Sequence, residues 1–312
     1  HLTKKRTNMH KFKFKGSTGE DLAARLDKPN GRVKAWALFA HCFTCGKDIF
    51  AASRIAAELN RHGIAVLRFD FTGLGMSDGE FENTNFTSNV EDLVRAADHM
   101  REELQAPQLL IGHSLGGTAV LAAASQINEV EAVVTIGAPS DARHVQHHFQ
   151  AEREKILEDG QAEVKLAGRP FKIKKQFIED IESQSMKDII ADLKKPLLIM
   201  HAPMDNIVGI DNASEIFTTA RHPKSFISLD DADHLVSRHE DAAYAATAMA
   251  GWASRYVNMD TSPEPEDADK TDGAVLVTAT NQGKFQNEIH YGRHTMFADE
   301  PESHGGNDTG PD

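Results

Sequence analysis

The fold is decided at residues 108–124, which read QLLIGHSLGGTAVLAAA. The opening run is typical of a short strand buried on both faces, and the closing run is typical of a buried helix. Between them, residues 112–116 read GHSLG, a G-x-S-x-G pattern that in this setting holds a serine at the tip of a strand-to-helix turn. We therefore predict that Ser114 is a nucleophile. Gly112 and Gly116 flank it because side chains at these positions would collide within the tight turn.

Short apolar runs recur on both sides of this stretch, and helix-like segments separate them. The predicted strands are 11–15, 22–26, 36–43, 64–71, 108–111, 132–136, 196–200 and 225–229. The predicted helices are 49–62, 89–104, 115–127, 213–220 and 240–256. Because strand and helix alternate, we predict an α/β fold with a doubly wound, mostly parallel sheet.

Residues 141–192 interrupt this alternation. They are rich in Lys, Glu and Gln and contain the hairpin-like run AEVKLAGRPFKIKKQF at residues 162–177. We predict that they leave the sheet and form a small cap at about 140–192. The cap carries His144, His147 and His148, which lack thiols or carboxylates at ligand spacing and are therefore expected to form a helix face near the substrate mouth rather than a metal site.

A nucleophilic serine needs a base and a carboxylate that orients the base. With Ser114 in its turn, the chain resembles the α/β-hydrolase family, whose catalytic residues follow in the order Ser, Asp, His. The resemblance implies Asp205, after the run PLLIM, and His234, after SFISL, both at the carboxyl ends of predicted strands. The rival candidates of the same residue types are Asp211, Asp230, Asp231, Asp233, His201, His222 and His239.

The resemblance also implies an oxyanion hole made of two backbone N–H groups. One belongs to Leu115, and the other is expected from Phe43, where the family typically reads His-Gly-x and this chain reads His41-Cys42-Phe43. Cys42 in place of glycine keeps the N–H group and is expected to narrow the acyl pocket. His41, Cys42 and His113 are therefore candidates for lining the substrate pocket.

Cys42 and Cys45 form a C-x-x-C pattern, and they are the two cysteines of the chain. A redox dithiol remains open, but no other redox signature accompanies the pair, so small packing residues beside the site are favoured. A metal held by these thiols and His41 would lack a ligand. We expect no metal and no cofactor, and the low cysteine content favours the cytoplasm.

A second glycine-rich segment, residues 68–79, reads RFDFTGLGMSDG. It matches a family segment with Asp followed by Gly-x-Gly-x-Ser, and it is too short for a phosphate loop. We predict a structural role in which Asp70 and Ser77 hold the loop by local hydrogen bonds.

The acidity of the chain is concentrated at one end. The formal net charge is -13, and Asp260 to Asp312 contain 12 acidic and 3 basic residues. Residues 259–272 are predicted to be an acidic linker. Residues 273–312 alternate like strands, and their GKFQ, HTMFADEP and GGNDTGP runs resemble the opening of OsmC-like peroxide-reducing domains. The expected organisation is a hydrolase domain at 9–258, the linker, and an OsmC-like fragment that lies on the hydrolase, stays disordered or joins a homodimer.

Together these features predict a serine carboxylic-ester hydrolase that works through an acyl-enzyme on small-molecule, short-chain esters. The negative charge argues against a nucleic-acid partner, and no apolar run reaches the roughly 20 residues of a membrane span. Two alternatives stay open: a non-catalytic hydrolase-fold scaffold for an OsmC-like partner domain, and a thioesterase or peptidase of the same fold.

Overall fold

The structure is a computed structural model. It describes residues 9–41, 46–166, 169–260, 275–280, 284–291, 294–307 and 309–310. The predicted linker, apart from its first two residues, therefore lies outside the described residues, as do Cys42, Phe43 and Cys45.

The core of the fold is one eight-stranded sheet, with two smaller sheets beside it. The strands are β1 (Met9–Lys15), β2 (Asp21–Asp27), β3 (Ala35–Ala40), β4 (Ile64–Phe69), β5 (Leu109–His113), β6 (Ala132–Ile136), β7 (Gln161–Leu166), β8 (Arg169–Lys174), β9 (Leu197–His201), β10 (Lys224–Ser228), β11 (Val275–Ala279), β12 (Asn287–Tyr291) and β13 (His294–Ala298). The large sheet runs in the order β1-β2-β4-β3-β5-β6-β9-β10. Its pairs are antiparallel up to the β2–β4 pair and parallel beyond it, which confirms the predicted α/β class.

Helices cover both faces of the large sheet. They are α1 (Phe50–Arg61), α2 (Phe86–Glu103), α3 (Leu115–Ala123), α4 (Arg153–Asp159), α5 (Lys175–Ser183), α6 (Met186–Ala191), α7 (Asp211–Thr219) and α8 (His239–Ala253), with 3-10 helices at Phe81–Asn83, Ala142–Glu152 and Glu302–His304. One apolar layer packs α1 and α8 against the sheet, and the other packs α2, α3 and the cap against the opposite face. Strands β3 to β6 are buried along their whole length because both faces are covered. None of the described helices combines the length and the apolarity that crossing a bilayer would require.

Two predicted element boundaries differ from the structure for a visible reason. Strand β4 ends at Phe69 rather than at residue 71, because the chain continues into a loop that is held by the Asp70 carboxylate, which accepts from Lys47 and from the Met76 amide. Helix α2 begins at Phe86 rather than at residue 89, because Asn85 and Ser88 form a capping box in which each side chain accepts the other residue's backbone N–H.

The predicted cap is a folded insertion between β6 and β9. It contains the Ala142–Glu152 3-10 helix, helices α4 to α6 and the antiparallel β7–β8 pair, and residues 167–168 between these two strands lie outside the described residues. The insertion is fastened to α2, since Asp180 accepts hydrogen bonds from the amide and hydroxyl of Thr87 at 2.9 and 2.5 Å. The fully buried Phe149 and Phe177 fill its interior.

The C-terminal strands β11, β12 and β13 form a separate antiparallel sheet, in the region where strand-like alternation was predicted. This sheet contacts the large domain near Asn30 and near Arg61. Asn30 donates a hydrogen bond to Glu288, and the Arg61 guanidinium lies 5.8 Å from the ring centroid of Phe297. The OsmC-like identity of this segment and the limits of the domains remain predictions.

Candidate active site

Ser114 occupies the sharp turn between β5 and α3. Its backbone has φ 54° and ψ -128°, a left-handed conformation that non-glycine residues rarely adopt and that turns the side chain out of the sheet. A Cβ atom at Gly112 would lie 2.3 Å from the Gly116 carbonyl oxygen, and one at Gly116 would lie 2.4 Å from the carbonyl oxygen of His41. The collision predicted within the turn is therefore confirmed at Gly112, whereas a side chain at Gly116 would meet the backbone of Ala40 and His41 at the end of the neighbouring strand β3.

A chain of two hydrogen bonds connects Ser114 to the two partners expected from the sequence. Nε2 of His234 lies 3.0 Å from Oγ of Ser114, and Nδ1 of His234 lies 2.7 Å from Oδ2 of Asp205. The Asp205 side chain is 1% exposed and the His234 side chain 8%, so most of the arrangement is shielded from water. The described geometry thus brings together three residues that are 91 and 29 positions apart in sequence.

The loop after β9 holds the carboxylate of Asp205 in place. Its Oδ1 accepts hydrogen bonds from the amides of Ile207 and Val208 at 2.9 and 3.0 Å. Burial alone would raise the pKa of Asp205, but the hydrogen bonds from His234 and the Val208 amide outweigh it, so the pKa lies below its ordinary value. Asp205 is therefore ionised at neutral pH and can stabilise a positive charge on His234.

The rival carboxylates have other partners or positions. Asp231 pairs with Arg238 at 2.7 Å, and Asp233 accepts hydrogen bonds from Ser237. Asp211 lies in the first turn of α7. Of the rival histidines, His222 and His239 are exposed, whereas His201 is fully buried with Nε2 3.7 Å from Oδ2 of Asp205.

Two buried histidines contact the loops that carry Asp205 and His234, and their role was not predicted from the sequence. Nε2 of His113 lies 2.7 Å from the carbonyl oxygen of His234, and Nε2 of His201 lies 2.7 Å from the carbonyl oxygen of Val208. From the sequence, His113 is a candidate for lining the substrate pocket and His201 is a rival candidate for the base. The available signal was position alone, since each residue ends a buried strand beside the site.

Only part of the predicted oxyanion hole is described. Leu115 is the first residue of α3, so its N–H precedes any intrahelical acceptor. Cys42 and Phe43 lie outside the described residues. His41 is buried, and its ring meets the Phe71 ring edge to face, with 5.0 Å between their centroids.

The structural role predicted for residues 68–79 is confirmed. Oδ2 of Asp70 accepts from the Met76 amide at 2.9 Å, and the Ser77 hydroxyl donates to the Asp70 carbonyl and accepts from the Ala23 amide. Asp70 also forms a buried ion pair with Lys47 at 2.7 Å, a contact that was not predicted.

The cap histidines lie on the Ala142–Glu152 3-10 helix, and the rings of His144 and His147 are 5.1 Å apart. Burial, followed by the neighbouring imidazoles, lowers the pKa of His144 and His148. Within the described parts of the chain, no group of three or more His, Cys, Asp or Glu side chains is arranged to hold a metal ion.

Comparison with known proteins places this geometry in context. A family profile described as serine aminopeptidase, S33, matches residues 33–182. The solved esterase domain of a Rhodothermus marinus protein is 47% identical, with a TM-score of 0.65, and the match covers 80% of this chain and 99% of that domain. A Butyrivibrio proteoclasticus protein, Est1E, solved with bound ferulic acid, has a TM-score of 0.66 at 21% identity, covering 78% and 98% of the two chains, and thus shares the fold.

The curated relatives are less similar in sequence than the Rhodothermus marinus domain, and the alignments cover only part of their length. The mouse mitochondrial palmitoyl-protein thioesterase ABHD10 is 30% identical over 153 residues, which is 47% of this chain and 50% of the relative. The rat monoglyceride lipase is 30% identical over 121 residues, which is 38% and 39% of the two chains. The chain therefore spans half or less of the length of these two relatives.

Proposed function

This chain belongs to the α/β-hydrolase family, and we propose that it is a serine carboxylic-ester hydrolase that works through an acyl-enzyme. The observation that carries the proposal is the continuous hydrogen-bonded path from Ser114 Oγ through His234 to Asp205, with links of 3.0 and 2.7 Å. Such a path activates a hydroxyl whose own pKa would leave it a weak nucleophile at neutral pH.

The reaction divides into two acyl transfers. Ser114 Oγ attacks the ester carbonyl while His234 Nε2 takes its proton, and His234 returns that proton to the leaving alcohol as the C–O bond breaks. A water molecule then attacks the acyl-enzyme, gives its proton to His234 and releases the acid as Ser114 is reprotonated. Asp205 keeps Nδ1 protonated, so that Nε2 is the atom free to accept. The Leu115 N–H is the donor that we propose for the developing oxyanion, and such donors are typically worth about 3 to 4 kcal/mol each.

Replacing the nucleophile tests the proposal directly. Ser114→Ala should lower kcat on p-nitrophenyl acetate by roughly a million-fold, since removal of the serine from such a triad has an effect of that size. It should also abolish covalent labelling by a fluorophosphonate. Ser125→Ala, an exposed serine just after the same helix, is the control and should leave both unchanged. Turnover and labelling that survive in Ser114→Ala would overturn the proposal, and absent labelling of the unaltered protein would favour the non-catalytic scaffold.

A thioesterase acting on longer acyl groups is the second candidate. Short acyl groups are favoured by the small cap and by the sequence, which has Cys42 where the family typically has glycine. Longer groups are favoured by exposed apolar side chains in the two loops that carry Asp205 and His234, namely Met204, Ile207 and Leu235 at 82%, 46% and 49% exposure. The name of the mouse relative also points in this direction.

One substrate series separates the two candidates. Kinetics should be measured with p-nitrophenyl oxygen esters from acetyl to palmitoyl and with N-acetylcysteamine thioesters of the same acyl groups. An esterase for short groups gives its highest kcat/KM with acetyl or butyryl oxygen esters. A preference for palmitoyl thioesters would instead establish the second candidate.

A further inference from the structure

Two buried imidazoles, those of His113 and His201, lie beside the site. His113 is the last residue of β5 and His201 is the last residue of β9. The two residues are 2% and 0% exposed. Each ring uses Nε2 to reach a backbone carbonyl at 2.7 Å, His113 that of His234 and His201 that of Val208. The mechanism proposed above uses neither ring.

We propose that His113 and His201 are positioning residues: His113 fixes the backbone that carries the base His234, and His201 fixes the backbone that carries the acid Asp205. The proposal rests on the serine hydrolase function proposed for the site. Beyond that function, the proposal states that catalysis requires each of the two loops to be held by the N–H of a neutral imidazole, which the neighbouring strand supplies.

The base loop needs such an anchor. Asp230 and Val236 have φ of 45° and 49°, so the loop holds two non-glycine residues in the left-handed region, one of them β-branched. His234 lies between them, and its side chain is held at one end by Asp205. The bond from His113 holds its main chain, and the two rings lie 5.2 Å apart. Fixing both ends sets the direction in which Nε2 faces Ser114.

The acid loop is held at a single residue from two sides. The Val208 amide donates to Oδ1 of Asp205, and the Val208 carbonyl accepts from His201. A shift of Val208 would therefore move the carboxylate that orients His234. His201 also faces Asp205 at 3.7 Å, so the ring lies against the loop that it supports.

The donor in each bond must be Nε2–H, because a carbonyl oxygen has no proton to give. Nδ1 of each ring is buried and finds no hydrogen-bond partner within the described residues. Burial, reinforced by the charge of His234, lowers the pKa of His113 to about 4, and burial also lowers the pKa of His201. The ionisable groups facing these rings are Asp205 and His234, with His41 in addition near His113. Both rings are therefore neutral at pH 7 and hold one tautomer.

The first test uses the unaltered protein. Nitrogen-15 NMR of histidine-labelled chain at pH 7 should give the Nε2–H tautomer, with unprotonated Nδ1, for His113 and His201. Signals are assigned from the His113→Gln and His201→Gln variants. An Nδ1–H tautomer or a protonated ring at either position would overturn the proposal for that residue. This result does not depend on catalysis, so it is separate from failure of the proposed esterase activity.

The second test compares an apolar with an amide replacement. His113→Leu should lower kcat on p-nitrophenyl acetate by roughly 10-fold to 100-fold, counted per fluorophosphonate-titrated site, with KM changed less than about twofold, because small misplacements of reacting groups have effects of this size. His113→Gln should regain most of kcat, since its amide nitrogen can reach the same carbonyl. Likewise, His201→Leu should lower kcat, and His201→Gln should lower it less.

His99→Leu is the matched control, since that partly buried imidazole stacks on Phe14 away from the site. It should leave kcat per titrated site unchanged. Equal kcat in His113→Leu and the unaltered chain, or equal losses in the Leu and Gln variants, would overturn the positioning role. If a Leu variant fails to fold, the positioning role is tested by the kcat of the Gln variant and by the tautomer that NMR gives for the unaltered chain.

Discussion

At the scale of single residues, the site depends on protonation states that burial and hydrogen bonding impose. Asp205 is held ionised by three donors, and His113 is held neutral by burial. Ser114, Asp205 and His234 could be predicted because a strand-to-helix motif and a chain order identify them. His113 and His201 could not be assigned a role, because their function depends on which carbonyl each ring reaches, and that follows only from the packing of distant loops.

Asp205→Asn tests the orienting carboxylate. An amide cannot act as the anionic acceptor of the Nδ1 proton, so it favours the wrong His234 tautomer, and kcat should fall by roughly 10,000-fold. Asp211→Asn, at the rival position in the first turn of α7, should leave kcat unchanged. Steady-state kinetics on p-nitrophenyl acetate measures both. A large loss of kcat in Asp211→Asn and none in Asp205→Asn would show that Asp211, not Asp205, is the carboxylate that orients His234.

Acid should destabilise the fold through His113. Its pKa is about 4 in the folded chain and near 6.5 when exposed, so the unfolded state binds the extra proton between these values. Stability is therefore lost as pH falls from 6.5 to 4, by about 3 kcal/mol for this group. Asp205 contributes only at lower pH, because its pKa lies below its ordinary value of 3.8.

Urea unfolding of the unaltered chain and of His113→Gln measures this effect. The difference in unfolding free energy between pH 7 and pH 4 should be about 3 kcal/mol smaller in the variant, since it lacks the titrating group. Identical pH dependence in the two proteins would show that His113 is not the group responsible.

At the scale of elements, one buried ion pair connects the end of β4 to the start of α1. Lys47 and Asp70 have side chains 3% and 2% exposed, with Nζ and Oδ2 2.7 Å apart, and Asp70 also accepts from the Lys47 and Met76 amides. The local part of this network was predictable from the D-x-x-G-x-G-x-S spacing. Lys47 was not, because it is 23 positions away and meets Asp70 only through strand pairing.

Asp70→Asn should lower the unfolding free energy by about 3 kcal/mol, because it leaves the buried Lys47 ammonium with only the half-exposed Asp48 carboxylate, 3.3 Å away, as a counter-charge. Asp78→Asn is the control in the same segment. Asp78 pairs with Lys13 at 3.0 Å, but both side chains are about half exposed, so its loss should be about 1 kcal/mol or less. Urea denaturation gives both values, and equal losses would contradict the burial argument.

The contrast between buried and exposed elements also explains which of them could be predicted from the sequence. Strands β3 to β6 are fully buried, so their apolar runs are unmistakable in the sequence. Helices α4 to α6 in the cap are short and expose much of their surface, so their sequences show polarity rather than a long periodic pattern. The cap and a helix carrying its histidines were therefore predicted, but helices α4 to α6 were not.

At the scale of the whole molecule, the apolar core and the site both lie in the first 260 residues. Both apolar layers, all eight strands of the large sheet and the Ser114–His234–Asp205 path lie between residues 9 and 260. Beyond this point, the described side chains of β11 are mostly exposed, including Val275, Leu276 and Val277 at 57%, 62% and 57%. A three-stranded sheet with such a surface adds little to the core that positions the site.

A chain that ends at Asp260 should therefore keep the fold and the activity. It retains the contacts of Asp260 itself, whose amide donates to the Lys34 carbonyl at 2.8 Å and whose carboxylate pairs with Arg32. We expect kcat/KM on p-nitrophenyl acetate within about twofold of the full chain, because the shortened chain keeps its own apolar core. A chain that ends at Arg238 is the control: it lacks α8, whose buried face covers one side of the sheet, and it should not fold. Loss of activity in the Asp260 chain would mean that the C-terminal strands support the site, because the residues proposed to react would all still be present.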